Sequence, residues 1–192
     1  MLNIGIVVGS TRQGRKGIQV ARWLLDHARR RGDANYTLLD LADYPLPFFG
    51  AELPAEQKEA ADRAIRAWSR AVEAQDGFIF VTPEYNHATS GVLKNALDHV
   101  NREIHNKAAG LAGYGGLGGA RAIENLRLIL GELQVADVRT SATFSIMTDF
   151  DETGMFRPKE YHLNNVNGML DQLLAWSRAL RTVRMNLQNR PV

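Results

Sequence analysis

The segment Gly9-Ser10-Thr11-Arg12-Gln13-Gly14-Arg15-Lys16-Gly17 gathers hydroxyls, cations and flexible glycines between an apolar run and the start of a helical pattern. Free amides at a helix start, with hydroxyl and guanidinium donors beside them, suit a phosphate monoester. No Gly-Lys-Ser/Thr occurs in it, and Ser10 lacks the Gly-x-Ser-x-Gly frame of a nucleophile elbow, so triphosphate hydrolysis and serine catalysis are poor readings. A second segment, Thr82-Pro83-Glu84-Tyr85-Asn86-His87-Ala88-Thr89-Ser90-Gly91, is constrained by Pro83 and Gly91. Its backbone can face the polar edge of a flat heterocycle, with Tyr85 as an aromatic face. Read alone, it is equally a proline-containing turn before a helix that Ser90 caps, with Asn95 merely exposed. A third segment, Gly113-Tyr114-Gly115-Gly116-Leu117-Gly118-Gly119, matches G-x-G-x-x-G and has Asp137 downstream. It follows the fourth strand of the pattern instead of the first, and Asp137 precedes the next strand instead of ending it, which argues against a dinucleotide fingerprint. A glycine loop that lets backbone approach a flat ring is the better reading.

Positioning such loops requires strands that end where they begin. Leu2 to Val8 is a short β-branched run stopped by Gly9, the pattern of a central parallel strand. Helical spacing of Ile18, Ala21, Trp23, Leu24, Leu25 and Ala28 follows, with Gly32 as the stop. Tyr36 to Leu39 reads as the second strand, and the prolines of Asp43 to Gly50 exclude helix or central strand there. Then come a helix from Pro54 through Val72, a strand Gly77 to Thr82, a helix Val92 to Val100 and a weak strand Ala108 to Gly113. A helix Ala120 to Leu133, a strand Arg139 to Ile146 and a closing helix Tyr161 to Leu180 complete the pattern. This alternation predicts a doubly wound α/β three-layer sandwich with a five-stranded parallel sheet, one domain over residues 1–192. Ligands then bind beyond the carboxyl ends of the strands, at the loops just described.

Composition narrows the class. The 192 residues are 45% hydrophobic, enough for one continuous core, and 23 Lys plus Arg against 21 Asp plus Glu leaves +2, far from a nucleic-acid binder. Arg29, Arg30 and Arg31 fall where a helix ends, so macrodipole complementarity explains them. With Cys 0, there is no disulfide, thiolate nucleophile or iron–sulfur cluster, which fits the cytoplasm. The apolar start is too short and glycine-broken for a membrane span or signal peptide. His87, His99 and His105 lack metal-ligand spacing, so no metal is expected. Trp23, Trp68 and Trp176 lie in helices among apolar neighbours and read as core or subunit contacts.

Taken together, Gly9-Ser10-Thr11-Arg12, Pro83-Glu84-Tyr85-Asn86, Gly91-Val92-Leu93-Lys94-Asn95-Ala96-Leu97-Asp98 and Gly113 to Gly119 with Arg121-Ala122 resemble the NADPH-dependent FMN reductase family, which includes flavin, quinone, azo-dye and chromate reductases. The resemblance spans most of residues 1–135 and implies a flavodoxin-like fold. It implies that Ser10, Thr11 and Arg12, with the helix start at Gly17 and Ile18, hold the FMN phosphate. Pro83, Glu84, Tyr85 and Asn86 would line the isoalloxazine, and Gly113, Tyr114, Gly115 and Gly116 would approach it from the next loop. NADPH or NADH would be co-substrate, a small molecule the electron acceptor, and the protein a homodimer or homotetramer whose interface draws on Val92, Leu93, Ala96, Leu97 and Val100. Many relatives carry a serine and an asparagine after the loop arginine, where this chain has Gln13-Gly14-Arg15-Lys16-Gly17, and His87 stands where a small hydroxyl residue is common. The roles of Arg15, Lys16 and His87 stay open at this point. The rival is a flavodoxin-type electron carrier that holds FMN without oxidising a nicotinamide; such carriers are typically strongly acidic.

Overall fold

Strand β1 (Asn3–Val8) is buried at every position after Asn3, as a strand flanked within a covered sheet must be. It pairs in parallel with β2 (Asn35–Asp40) and with β3 (Gly77–Pro83). On the far side β3 pairs with β4 (Lys107–Gly115), and β4 with β5 (Val135–Ser145), all parallel, in the order β2-β1-β3-β4-β5. These features come from a computed structural model that describes residues 1–188.

Five helices cover the sheet: α1 (Gly17–Arg31), α2 (Ala55–Glu73), α3 (Gly91–Asp98), α4 (Ala120–Glu132) and α5 (Tyr161–Gln188). Along α1 the buried Val20, Ala21, Leu24, Leu25 and Ala28 form one apolar stripe, and Gly32 ends the helix at φ 67°, a left-handed cap. α1 and α5 bury their stripes on one face, where Leu24, Phe144, Met169 and Leu173 meet. The other face holds α2, α3 and α4, where Trp68, Phe80, Leu97 and Leu126 meet. Trp68 is fully buried, and its indole N–H donates to the Ala96 carbonyl at 2.7 Å, tying α2 to α3. Trp23 packs edge-on against Phe144 and Phe156, whereas Trp176 is 48% exposed and belongs to no core.

The five-stranded, doubly wound flavodoxin-like α/β sandwich is as expected, and the boundaries shift for identifiable reasons. β4 is longer than Ala108 to Gly113 because all nine of its residues are buried, although six of them are Ala or Gly. They are small because α5 lies close: a Cβ on Gly110 would come within 2.9 Å of Met169 Cγ. β5 begins at Val135 instead of Arg139, hidden by polar residues and by a register shift opposite Ala109 and Leu111. α3 ends at Asp98, short of Val100, and α5 continues past Leu180 to Gln188. In this strand order the winding reverses between β1 and β3, so their following loops diverge and leave a cleft above the sheet.

Candidate functional site

The loop after β1 leaves the sheet through Gly9, whose N–H donates to the Val81 carbonyl at 2.8 Å. A Cβ there would sit 2.7 Å from that same oxygen, so only glycine fits. Ser10 is buried; its hydroxyl lies 3.3 Å from the Tyr85 hydroxyl and accepts the Arg12 N–H at 3.4 Å. The chain then turns through Gly14 at φ 68° and enters α1 at Gly17, with no side-chain cap and no acid in the first turn. The first amides and the positive end of the helix dipole are therefore left for an anion. The three loop cations have different fates. Arg15 pairs with Asp40 at 2.5 Å, and Lys16 lies 4.2 Å over the Phe150 ring. The Arg12 guanidinium makes no ion pair or side-chain hydrogen bond among the described residues.

In the loop after β3, Tyr85 and Ala88 exchange two backbone hydrogen bonds of 3.0 Å around Asn86 at φ 49° and His87 at φ 68°. This is the turn that usually carries Asn-Gly, and it turns the Tyr85 ring back over the cleft. Ser90 caps α3 by accepting the Leu93 N–H at 3.1 Å, and its hydroxyl donates to the Gly9 carbonyl. The two loops are thus fastened to each other. Asn95 is not merely exposed: its side chain donates to the Pro47 carbonyl and accepts the Phe49 N–H, both at 2.8 Å, and so holds the proline segment on α3.

Glu84 faces the start of α4. Its carboxylate accepts the Arg121 N–H at 3.1 Å and the Arg121 Nε–H at 2.5 Å, while the guanidinium donates to His87 Nε2 at 2.6 Å. Burial pushes Glu84 up, but the hydrogen bonds and charge of Arg121 outweigh it and hold the carboxyl below its ordinary 4.5. A carboxylate depressed in the folded state contributes stability that is complete above its unfolded value and is lost as pH falls through the folded one. Glu84→Gln is therefore expected to lower the melting temperature at pH 7, with the difference from wild type shrinking below about pH 4.5. Paired thermal melts across that range check it; a gap that persists at acid pH would assign the loss to packing.

The glycine segment does two jobs. A Cβ on Gly113 would meet the Gly119 carbonyl at 2.8 Å, and Gly118 and Gly119 hold φ of 70° and 79°, so these three let the loop fold onto its own strand. Gly115 lies in the cleft wall, its would-be Cβ 3.0 Å from Glu84 Cβ, while Gly116 faces open space. The resulting cleft, about 500 Å³ with its open mouth, runs from Arg12 and Lys16 past Tyr114 to Pro83, Tyr85 and Gly115. Thr11 faces an adjoining hollow with Tyr44 and Val92 instead, Ile18 packs on the core and Asn86 is exposed in the turn. Ile146, just past the end of β5, also lines the cleft; generic residues around it give no signal in the sequence. Asp137 lies near the opposite, amino end of β5, paired with Arg127, so the G-x-G-x-x-G match has no ribose acid.

A loop of anion donors thus faces a cleft at the β1/β3 winding reversal of a flavodoxin-like fold. The family described as NADPH-dependent FMN reductase matches residues 2–149. The chain is 29% identical over 161 residues to an NAD(P)H-dependent FMN reductase of Schizosaccharomyces pombe, covering 80% of this chain and 78% of that one. It is 34% identical over 135 residues to a quinone reductase of Escherichia coli K12, covering 67% of this chain and 69% of that one. Among solved structures, the flavoenzyme FerB, an NAD(P)H:(acceptor) oxidoreductase of Paracoccus denitrificans, shares the fold with a TM-score of 0.69 at 20% identity, over 93% of this chain and 98% of that one. The chain belongs to the NADPH-dependent FMN reductase family and is an FMN-dependent NAD(P)H oxidoreductase.

Its residues suit that cofactor. Two buried polar atoms beside the cleft, Tyr114 Oη and Arg15 Nε, have no hydrogen-bond partner, a costly state in a folded protein unless something else completes it.

Proposed function

We propose that the cleft holds FMN with its phosphate among Ser10, Arg12 and the amides of Gly17 and Ile18, Thr11 flanking them. The ring would lie along Pro83, Glu84, Tyr85 and Asn86, with Gly113, Tyr114, Gly115 and Gly116 behind. One observation carries this reading: the uncommitted Arg12 and the uncapped start of α1 open onto the same cleft as the Pro83 to Tyr85 wall. Bound FMN supplies the two-electron chemistry that joins a nicotinamide donor to an acceptor. The protein's part is placement. Backbone of the turn at Tyr85 to Ala88 sets the ring plane, Arg121 fixes Glu84 and His87 at the mouth, and no side chain is needed as a dedicated acid. The acceptors are small and flat: free flavins, quinones or azo compounds.

The test is anaerobic. Purified protein should be yellow, and NADPH or NADH should bleach its flavin band, which reoxidises when a quinone is added. A yellow protein that neither nucleotide bleaches would be the electron carrier instead.

We also propose a cytoplasmic homo-oligomer with the cleft near the subunit interface. Among the described residues no helix is long and apolar enough to cross a membrane. The α3 stripe is largely consumed by the protomer's own core, since Leu93, Ala96, Leu97 and Val100 are buried and only Val92, at 39%, is exposed. Support for association comes instead from Phe48, Phe49, Leu117 and Met147, large apolar side chains left exposed on loops at the carboxyl end of the sheet. Light scattering should give a multiple of 21.4 kDa; a monomer of that mass that still oxidises NADPH would overturn this part.

A further inference from the structure

The backbone of Tyr114 belongs to the glycine segment beside the cleft, and its side chain runs toward α1. It stands at the end of β4, 6% exposed, on the face of the sheet that carries α1 and α5. Its phenol reaches under the first turn of α1: a Cβ on Gly17 would lie 2.7 Å from Tyr114 Oη and 3.0 Å from Cε1. Gly17 therefore has no side chain because the phenol occupies that space. The hydroxyl is buried and makes no hydrogen bond of good geometry, with the Ser10 hydroxyl and the Gly17 amide as polar neighbours. Burial pushes it up to about 12, so it keeps its proton throughout the physiological range and can act there only as a neutral donor or acceptor.

Resting on the reading that FMN sits in this cleft, we infer that Tyr114 Oη is a phosphate donor under the start of α1, and that it makes the site select FMN over the unphosphorylated flavin. Three observations converge on the phosphate end: the orphaned hydroxyl, the uncapped helix above it and the uncommitted Arg12 at the rim. The contact of the phenol with Gly17 places its hydroxyl at the helix end of the cleft. As a positioning residue it touches the ligand's handle and not its reacting atoms.

Tyr114→Phe tests this, with apoprotein titrated by FMN and by riboflavin. Loss of one hydrogen bond to a charged group corresponds to about tenfold to a hundredfold in affinity. That loss is expected for FMN, with riboflavin unchanged. The apoprotein should melt no lower than wild type, because the variant removes a buried hydroxyl that had no partner. The added melting temperature conferred by FMN should shrink. Equal losses for both flavins, no loss for either, or a lower apoprotein melting temperature would each overturn the inference. If wild type itself binds FMN no better than riboflavin, the phosphate site as a whole is refuted, and that outcome is distinguishable because it needs no variant.

Discussion

Arg12→Ala should weaken FMN binding by about one to two orders of magnitude while riboflavin binding holds. Arg12 is the loop cation with no protein partner among the described residues, whereas Arg15 is committed to Asp40 and Lys16 lies over Phe150. A guanidinium free to meet a phosphate makes a charge-assisted contact, and losing one costs roughly that factor. Because Arg12 is exposed, its contribution should also decline with ionic strength. Titration of wild type and variant at low and high salt therefore separates it from Tyr114, whose neutral hydroxyl should show little salt dependence. If Arg12→Ala loses both flavins equally, the loop has been disrupted; if it loses neither, the phosphate depends on the helix amides and the neutral donors.

Gly119→Ala is expected to destabilise the protein strongly for a single methyl group. The residue sits at φ 79°, and a Cβ there would lie 2.5 Å from the Tyr114 nitrogen and 2.7 Å from the Gly113 carbonyl carbon. Both are backbone atoms of β4 and have no rotamer by which to retreat. The left-handed conformation costs an ordinary residue roughly 1–2 kcal/mol, and a forced overlap in a packed region typically adds about 1–3 kcal/mol. A loss of about 2–5 kcal/mol by chemical denaturation follows, with weaker flavin binding because Gly115 moves with the loop. Gly116→Ala is the control: nothing lies within 4 Å of its would-be Cβ, so stability should hardly change. Similar losses in the two variants would show that the loop is governed by composition and not by these contacts.

The strand and helix alternation was legible because β1 and β3 are continuous apolar runs and α1 has a clean stripe with a glycine stop. β4 and the first half of β5 were harder. Ala108 to Gly113 looks weak in isolation, and its small residues become intelligible only once Met169 of α5 is seen pressed against Gly110. The three loops could be named from residue types, but not their internal division of labour. That Arg15 is committed depends on Asp40, twenty-five positions away. Asn95 became a tether through Pro47 and Phe49, which no helical periodicity connects to it. Tyr114 could be singled out from its glycine loop, yet that its phenol lies under α1 depends on Gly17 above it, a relation between a strand end and a helix start.

The hydrogen bond from Ser90 to the Gly9 carbonyl carries a consequence for how a flavin is captured. It joins the loop that would hold the phosphate to the helix that follows the ring wall, so the two half-sites form one preorganised body. Anchoring one end of a ligand in such a body raises the effective concentration of the other end at its own half-site, and little further ordering is needed. The handle and the ring are then coupled in affinity but separable in chemistry. A flavin without a phosphate, supplied at high enough concentration, would meet the same ring wall in the same orientation, so its reduction rate at saturation should approach that of FMN.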